Sequence, residues 1–72
     1  MANKKKVKYA IQVWNMGKVV GYLKSVSYTK RTFSMTNDVR LAKKYVTQDY
    51  VWGEIDTLTG INSGYGYTYV EV

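Results

Sequence analysis

The sequence predicts a small two-layer α+β domain: an antiparallel or mixed β-sheet, made of an N-terminal hairpin and a C-terminal strand, covered on one face by one or two helices. Three observations predict it. Residues 7–24 alternate in polarity on either side of a glycine-containing turn. Residues 36–60 carry apolar side chains at helical spacing, and the closing stretch GYGYTYVEV, residues 64–72, alternates again. Strands on both sides of a helical region give a sheet with one covered face and one open face.

The hairpin comes first. In VKYAIQVW, Val7, Tyr9, Ile11 and Val13 share one face and Lys8, Ala10, Gln12 and Trp14 the other. Asn15-Met16-Gly17 reads as a three-residue loop with Gly17 left-handed, a conformation glycine adopts without steric cost. That loop pairs Trp14 with Lys18, Val13 with Val19, Ile11 with Gly21 and Tyr9 with Leu23, so the aliphatic residues gather on one side. Lys8, Gln12, Trp14, Lys18, Val20, Tyr22 and Lys24 then form the opposite face. A two-residue loop would shift the register by one and mix the two sets.

The second strand is expected to end near Tyr28, and a short third strand to include Phe33 and Met35. Next, TNDVRLAKKYVTQDYVWGEIDTLTG reads as two helical pieces. Thr36 or Asn37 caps the first, with Val39, Ala42 and Val46 on one face; Thr47 caps the second, with Val46 and Val51 placed as a hydrophobic staple. Val51, Ile55 and Leu58 form the buried stripe, expected to pack on Val7, Ile11, Val13 and Leu23. Gly60 stands where a left-handed C-terminal cap belongs.

In the final strand Tyr65, Tyr67 and Tyr69 share a row with Glu71, opposite Thr68, Val70 and Val72. Burying an unpartnered carboxylate costs several kcal/mol, which argues for valines inward and tyrosines outward. The alternative is that the tyrosines fill the core of a domain short of aliphatics, with their hydroxyls at its rim.

With 72 residues the chain is one domain, residues 1–72, and residues 1–5 read as a basic flexible arm. The net charge of +6 is unevenly spread: residues 1–31 hold eight bases and no acid, residues 32–72 three bases and five acids. Such a half is either a solvated surface or a footprint for an anionic partner. The chain contains no Cys and no His, which removes thiolate chemistry, serine and cysteine triads, zinc sites and histidine acid–base work. Asp38, Asp49, Glu54, Asp56 and Glu71 have no calcium-loop spacing, and Asp49, Glu54 and Asp56 read as the first turn and solvated face of a helix. No cofactor or metal is expected, and the reading is non-enzymatic.

Lysines beside Tyr and Trp on an open sheet combine charge for phosphates with rings on which bases stack. The candidate binding residues are therefore Lys8, Trp14, Lys18, Tyr22, Lys24, Tyr65, Tyr67 and Tyr69. The same side chains suit a protein interface, and a tyrosine-rich edge strand suits a homodimer.

The runs GYLKSVSY and FSMTNDVRLAKKY resemble small accessory proteins carried by phages and prophages of Gram-positive bacteria, some of them anti-defence proteins such as anti-CRISPR inhibitors. The resemblance implies an accessory role in a phage or mobile element and the cytoplasm of a bacterial host. It carries over no functional residue, and the positive charge departs from inhibitors that mimic DNA. The resulting expectation is a binding protein for nucleic acid or a nucleoprotein complex, without membrane association. The alternatives are an antagonist of a host protein and a homo-oligomeric structural module.

Overall fold

The computed structural model describes residues 7–72; the expected basic arm lies outside them. β1 (Tyr9–Asn15), β2 (Lys18–Ser27) and β3 (Thr32–Thr36) are followed by a 3₁₀ turn (Val39–Leu41), helix α1 (Gln48–Ile61) and β4 (Gly66–Glu71). All pairings are antiparallel, in the spatial order β3-β2-β1-β4, and α1 packs on one face. This is the two-layer α+β domain the sequence predicts.

The first hairpin turns on two residues, not three. Met16 and Gly17 both have positive φ, 53° and 79°, the signature of a type I′ turn, and Asn15 pairs with Lys18. The register then shifts: Trp14 pairs with Val19, but Val13 pairs with Gly21. Val20 is thus an extra residue, and this β-bulge restores the parity that the two-residue loop displaced. A second bulge at Lys24 lies between the pairs Leu23–Met35 and Ser25–Ser34. It returns Val26 to the helix-facing side, where Val26 and its partner Phe33 pack against the core.

Residues 42–46 are not helical. The chain passes from the 3₁₀ turn, capped by Asp38 rather than Thr36 or Asn37, into an extended segment wedged between β2 and β1. There the Lys43 amide donates to the Leu23 carbonyl (2.9 Å), and Tyr45 exchanges two backbone hydrogen bonds with Tyr9 (2.8 Å each). β1 and β2 diverge beyond Leu23, and this segment satisfies backbone groups that would otherwise lack partners. Those bonds outweigh the modest helical preference of residues 39–46.

Thr47 caps α1 as expected, accepting from the Tyr50 amide at 3.3 Å. Val46 is exposed, so no staple with Val51 forms. The helix also runs past Gly60: Ile61, three residues beyond Leu58, continues the half-buried stripe, and Asn62 provides the cap in an extended conformation. Val51 and Leu58 join Ile11, Leu23 and Tyr45 in the buried cluster, with Ile55 packed at its margin. Val13 is buried, whereas Val7 is exposed.

The tyrosine row faces inward, a correction to the outward expectation. β4 pairs Tyr69 with Ile11 and Tyr67 with Val13, and directly paired residues share a face, so the tyrosines lie under α1. The Tyr67 hydroxyl donates to the Asn62 carbonyl (2.7 Å), with the Leu58 carbonyl at 3.2 Å, and Tyr69 meets Tyr9 and Trp52 edge to face at 5.4 Å each. Glu71 does belong to the same row, but it stands opposite Tyr9 at the exposed end of the strand. Its carboxylate stays in water, so the desolvation cost that argued for the other orientation does not arise.

Candidate functional site

The open face is read from the strand registers. Lys8, just before β1 and bonded through its carbonyl to the Val72 amide, lies on it with Ala10, Gln12 and Trp14 of β1; β4 contributes Gly66, Thr68 and Val70, which pair with Trp14, Gln12 and Ala10. β2 adds Tyr22, opposite Gln12, and β3 adds Ser34 and Thr36, opposite Ser25 and Tyr22. Each bulge sets two consecutive residues between core-facing neighbours, so Val19 with Val20 and Lys24 with Ser25 also belong to this side.

A polar network holds the middle of the face. The Trp14 indole N–H donates to Thr68 Oγ1 at 2.8 Å, and that hydroxyl donates to Gln12 Oε1 at 3.3 Å. The Ser25 and Ser34 hydroxyls are bonded at 2.7 Å. The indole is therefore fixed by its N–H, while its ring remains half-exposed. Trp14 and Tyr22 stand on the same face of adjacent strands, with the Val20 bulge between their ladder positions. Gly66 lies directly across from Trp14 and presents no side chain there.

Lys8 and Lys24 project from the open face, and no strand position on it carries a carboxylate; Asp49 and Asp56 are exposed on α1, on the other layer. Of the residues expected to form the site, the structure brings together Lys8, Trp14, Tyr22 and Lys24. Lys18 sits opposite Asn15 at the hairpin turn, not opposite Trp14, because the turn has two residues. Tyr65, Tyr67 and Tyr69 are on the covered side, where Tyr65 and Tyr67 stack edge to face with Phe33 at 6.2 Å each, and burial raises the Tyr67 phenol's pKa.

A second cluster lies beneath the helix, centred on the one buried charged side chain among the described residues. Glu54, 6% exposed, accepts from the Tyr45 hydroxyl (2.5 Å), the Tyr28 hydroxyl (2.7 and 2.9 Å to its two oxygens) and the Lys43 ammonium (3.2 Å). Lys43 also lies 5.3 Å from the Tyr45 ring centre. Burial alone would raise the Glu54 pKa, but hydrogen bonds from Tyr45, Tyr28 and Lys43 outweigh it and hold the carboxyl below its ordinary range.

The partners move the other way. Burial and then the Glu54 bond push the Tyr45 phenol up, and the Glu54 bond chiefly raises Tyr28. Burial opposes charge on Lys43, but its bond to Glu54 raises it overall. Every group is displaced away from neutral pH, the reverse of the tuning that general acid–base catalysis requires. The cluster ties the 42–46 segment and the end of β2 to the helix.

Sequence reasoning placed Glu54 on the solvated face of the helix. The signal that it is buried was present: Val51, Glu54, Ile55 and Leu58 fall at i, i+3, i+4 and i+7, one helical stripe. A shallow groove of about 370 Å³ opens between β3 and the end of α1, walled by Phe33, Ile61 and Tyr65, with Arg31 and Asn62 at its rim. The Arg31 guanidinium is engaged there by the Gly60 carbonyl at 3.0 Å. Among the described residues no group of three or more acidic side chains could hold a metal ion, and no helix is long and apolar enough to cross a membrane.

No protein-family model matches this chain, and neither a curated protein nor a solved structure matches it.

Proposed function

We propose that this chain is a non-enzymatic binding protein whose open sheet face takes single-stranded nucleic acid, free or within a nucleoprotein complex. One observation carries the reading: Lys8 and Lys24 share a carboxylate-free face with Trp14 and Tyr22, while the exposed acids of α1 lie on the opposite layer. An anionic strand approaching the sheet meets attraction there. Lysines neutralise phosphates, and the two rings offer stacking platforms. Trp14 is held in place by Thr68, so less side-chain entropy is lost on binding than for a free indole. Tyr65, Tyr67 and Tyr69 take no part in this reading. An accessory role in a phage or mobile element rests on the sequence resemblance alone.

A second reading, a protein partner of the kind an anti-defence inhibitor engages, is favoured by Val19 and Val20, which are 41% and 39% exposed beside Trp14. An aliphatic pair next to an indole fits the dry centre of a protein interface better than it fits a phosphate track.

The test is a salt titration of affinity for short single- and double-stranded oligonucleotides. Replacing Lys8 or Lys24 by Ala should flatten the dependence of log affinity on log salt by about 0.7 per lost single-strand phosphate contact. Trp14→Ala should leave that slope unchanged and weaken binding by roughly 1–3 kcal/mol. Absence of binding at low salt would remove the nucleic-acid reading and leave the protein partner in its place.

A further inference from the structure

We propose that the outer edge of β4 is a self-association surface, through which two copies of this chain join their sheets antiparallel about a twofold axis at Tyr69. The inference does not depend on what the open face binds.

The backbone states which groups are free. The Val72 amide donates to the Lys8 carbonyl at 2.8 Å, so residues 8 and 72 are a hydrogen-bonded pair. In an antiparallel ladder such pairs recur at every second residue, making 10–70, 12–68 and 14–66 the bonded pairs of β1 and β4. Tyr9 supports this phase, since its N–H and C=O point the other way, to Tyr45. The N–H and C=O of Tyr67, Tyr69 and Glu71 therefore point outward, and β4 is an outer strand of the sheet.

Protein edges are commonly blunted by proline, lysine or a bulge. β4 has none of these, and its ladder with β1 runs without a register shift, whereas both other ladders of the sheet are bulged. The opposite edge, β3, is five residues long and paired across the bulge at Lys24. Among the described residues β4 is therefore the unbulged edge with no covering segment, and its one charged side chain, Glu71, stands at its end.

Its sequence is self-complementary in one register. Pairing Tyr69 with Tyr69 of a second copy sets residue 67 opposite 71, so all three outward-pointing residues meet outward-pointing partners. A shift by one pair, 67 opposite 69, sends residue 71 to Tyr65, which lies outside the strand. In the favoured register Thr68 meets Val70 on the open face and Tyr67 meets Glu71 on the helix side, and no like charges are opposed. Trp52 supplies the apolar component. Its ring stands edge to face on Tyr69 at 5.4 Å and is 53% exposed, so the indoles of two copies flank the axis above the joint. Edge pairing alone gives no dry surface; a half-exposed indole over that same edge is what an isologous contact covers.

The experiment is sedimentation equilibrium of the full chain from micromolar to millimolar concentration. The mass should rise from 8.3 kDa toward twice that value. A synthetic chain N-methylated at the Tyr69 amide keeps every side chain and every bond to β1, and should remain monomeric. The register is tested by oxidising a mixture of T68C chains and V70C chains. These positions form a non-hydrogen-bonded cross-strand pair about 4.5 Å apart at Cα, within disulfide reach, so the mixed dimer should cross-link faster than either chain alone. A constant monomer mass, an N-methylated chain that associates like the unmodified one, or a dimer with no 68–70 cross-link preference would each overturn the proposal.

Discussion

Removing the Glu54 carboxylate tests how the helix, the 42–46 segment and β2 are held together. Glu54→Ala leaves the Tyr45 hydroxyl buried without its acceptor and Lys43 without its counter-ion. Breaking a buried charge pair by removing one partner costs about 3–5 kcal/mol; because the Lys43 side chain is 39% exposed and reaches water, the lower half of that range applies. Glu54→Gln keeps the shape, turns the two phenol bonds from charge-assisted to neutral and leaves the Lys43 ammonium without its counter-charge, each change losing about 1 kcal/mol where buried and less at exposed Tyr28, for a total near 2 kcal/mol. Urea unfolding followed by circular dichroism reads both values, with unchanged m showing that only stability has moved.

The pH dependence adds a second check with a fixed sign. The folded Glu54 carboxyl titrates below its unfolded value, so its stabilisation is present above about pH 4.3 and is lost as pH falls through the folded value. Tyr45, Tyr28 and Lys43 are all raised, so their share is present below about pH 10 and is lost as pH rises through their folded values. The gap between wild type and Glu54→Gln should therefore hold between those limits and close on the acid side. A loss below about 0.5 kcal/mol, as at ordinary surface sites, or a gap that does not narrow as the pH falls, would refute the reasoning.

Three further perturbations test the fold. Met16 is 93% exposed at φ 53°, so Met16→Asn removes no packing and places a residue that tolerates the left-handed region; a gain of about 0.5–1 kcal/mol, roughly 2–8 °C in Tm, is expected by calorimetry. Leu58→Ala, at a fully buried core site, should cost about 2–5 kcal/mol by urea unfolding. Tyr67→Phe should cost about 0.5–1.5 kcal/mol through its lost bond to Asn62 and leave oligonucleotide affinity unchanged; a selective loss of affinity would return the tyrosine row to the binding face.

The parts of the fold that were legible in the sequence are those carried by periodicity over many residues. Ile11, Val13 and Leu23 alternate into the core, Val51 and Leu58 repeat at helical spacing, and Thr47 announces the start of α1. Two features resisted. The hairpin loop was argued from the need to keep aliphatic residues together, and the chain meets that need with a shorter turn plus an extra residue, Val20. A bulge leaves no periodic trace, because it is a single break in the alternation it repairs. The segment around Tyr45 takes its shape from partners distant in sequence, Tyr9, Leu23 and Glu54, so local propensity there pointed to helix.

For the candidate site, half of the expected residues share the open face, and the reason is parity. Lys8, Trp14, Tyr22 and Lys24 followed from alternation that the bulges preserve, whereas Lys18 depended on the turn length. The three tyrosines depended on one charge, Glu71, at the strand end where burial is not imposed. Their phenols serve the core because hydroxyls such as that of Tyr67 reach backbone carbonyls at its rim.

The most direct test of the binding account is a two-dimensional ¹⁵N NMR titration of the full chain with a short single-stranded oligonucleotide at low salt. The account predicts progressive shifts of the Trp14 indole N–H, the Gln12 side-chain amide and the backbone amides of Tyr22, Lys24 and Thr68, with the Trp52 indole and the exposed amides around Asp49 and Asp56 unmoved. Shifts centred on α1 or on the Arg31–Asn62 groove, or no shift at any residue, would contradict it.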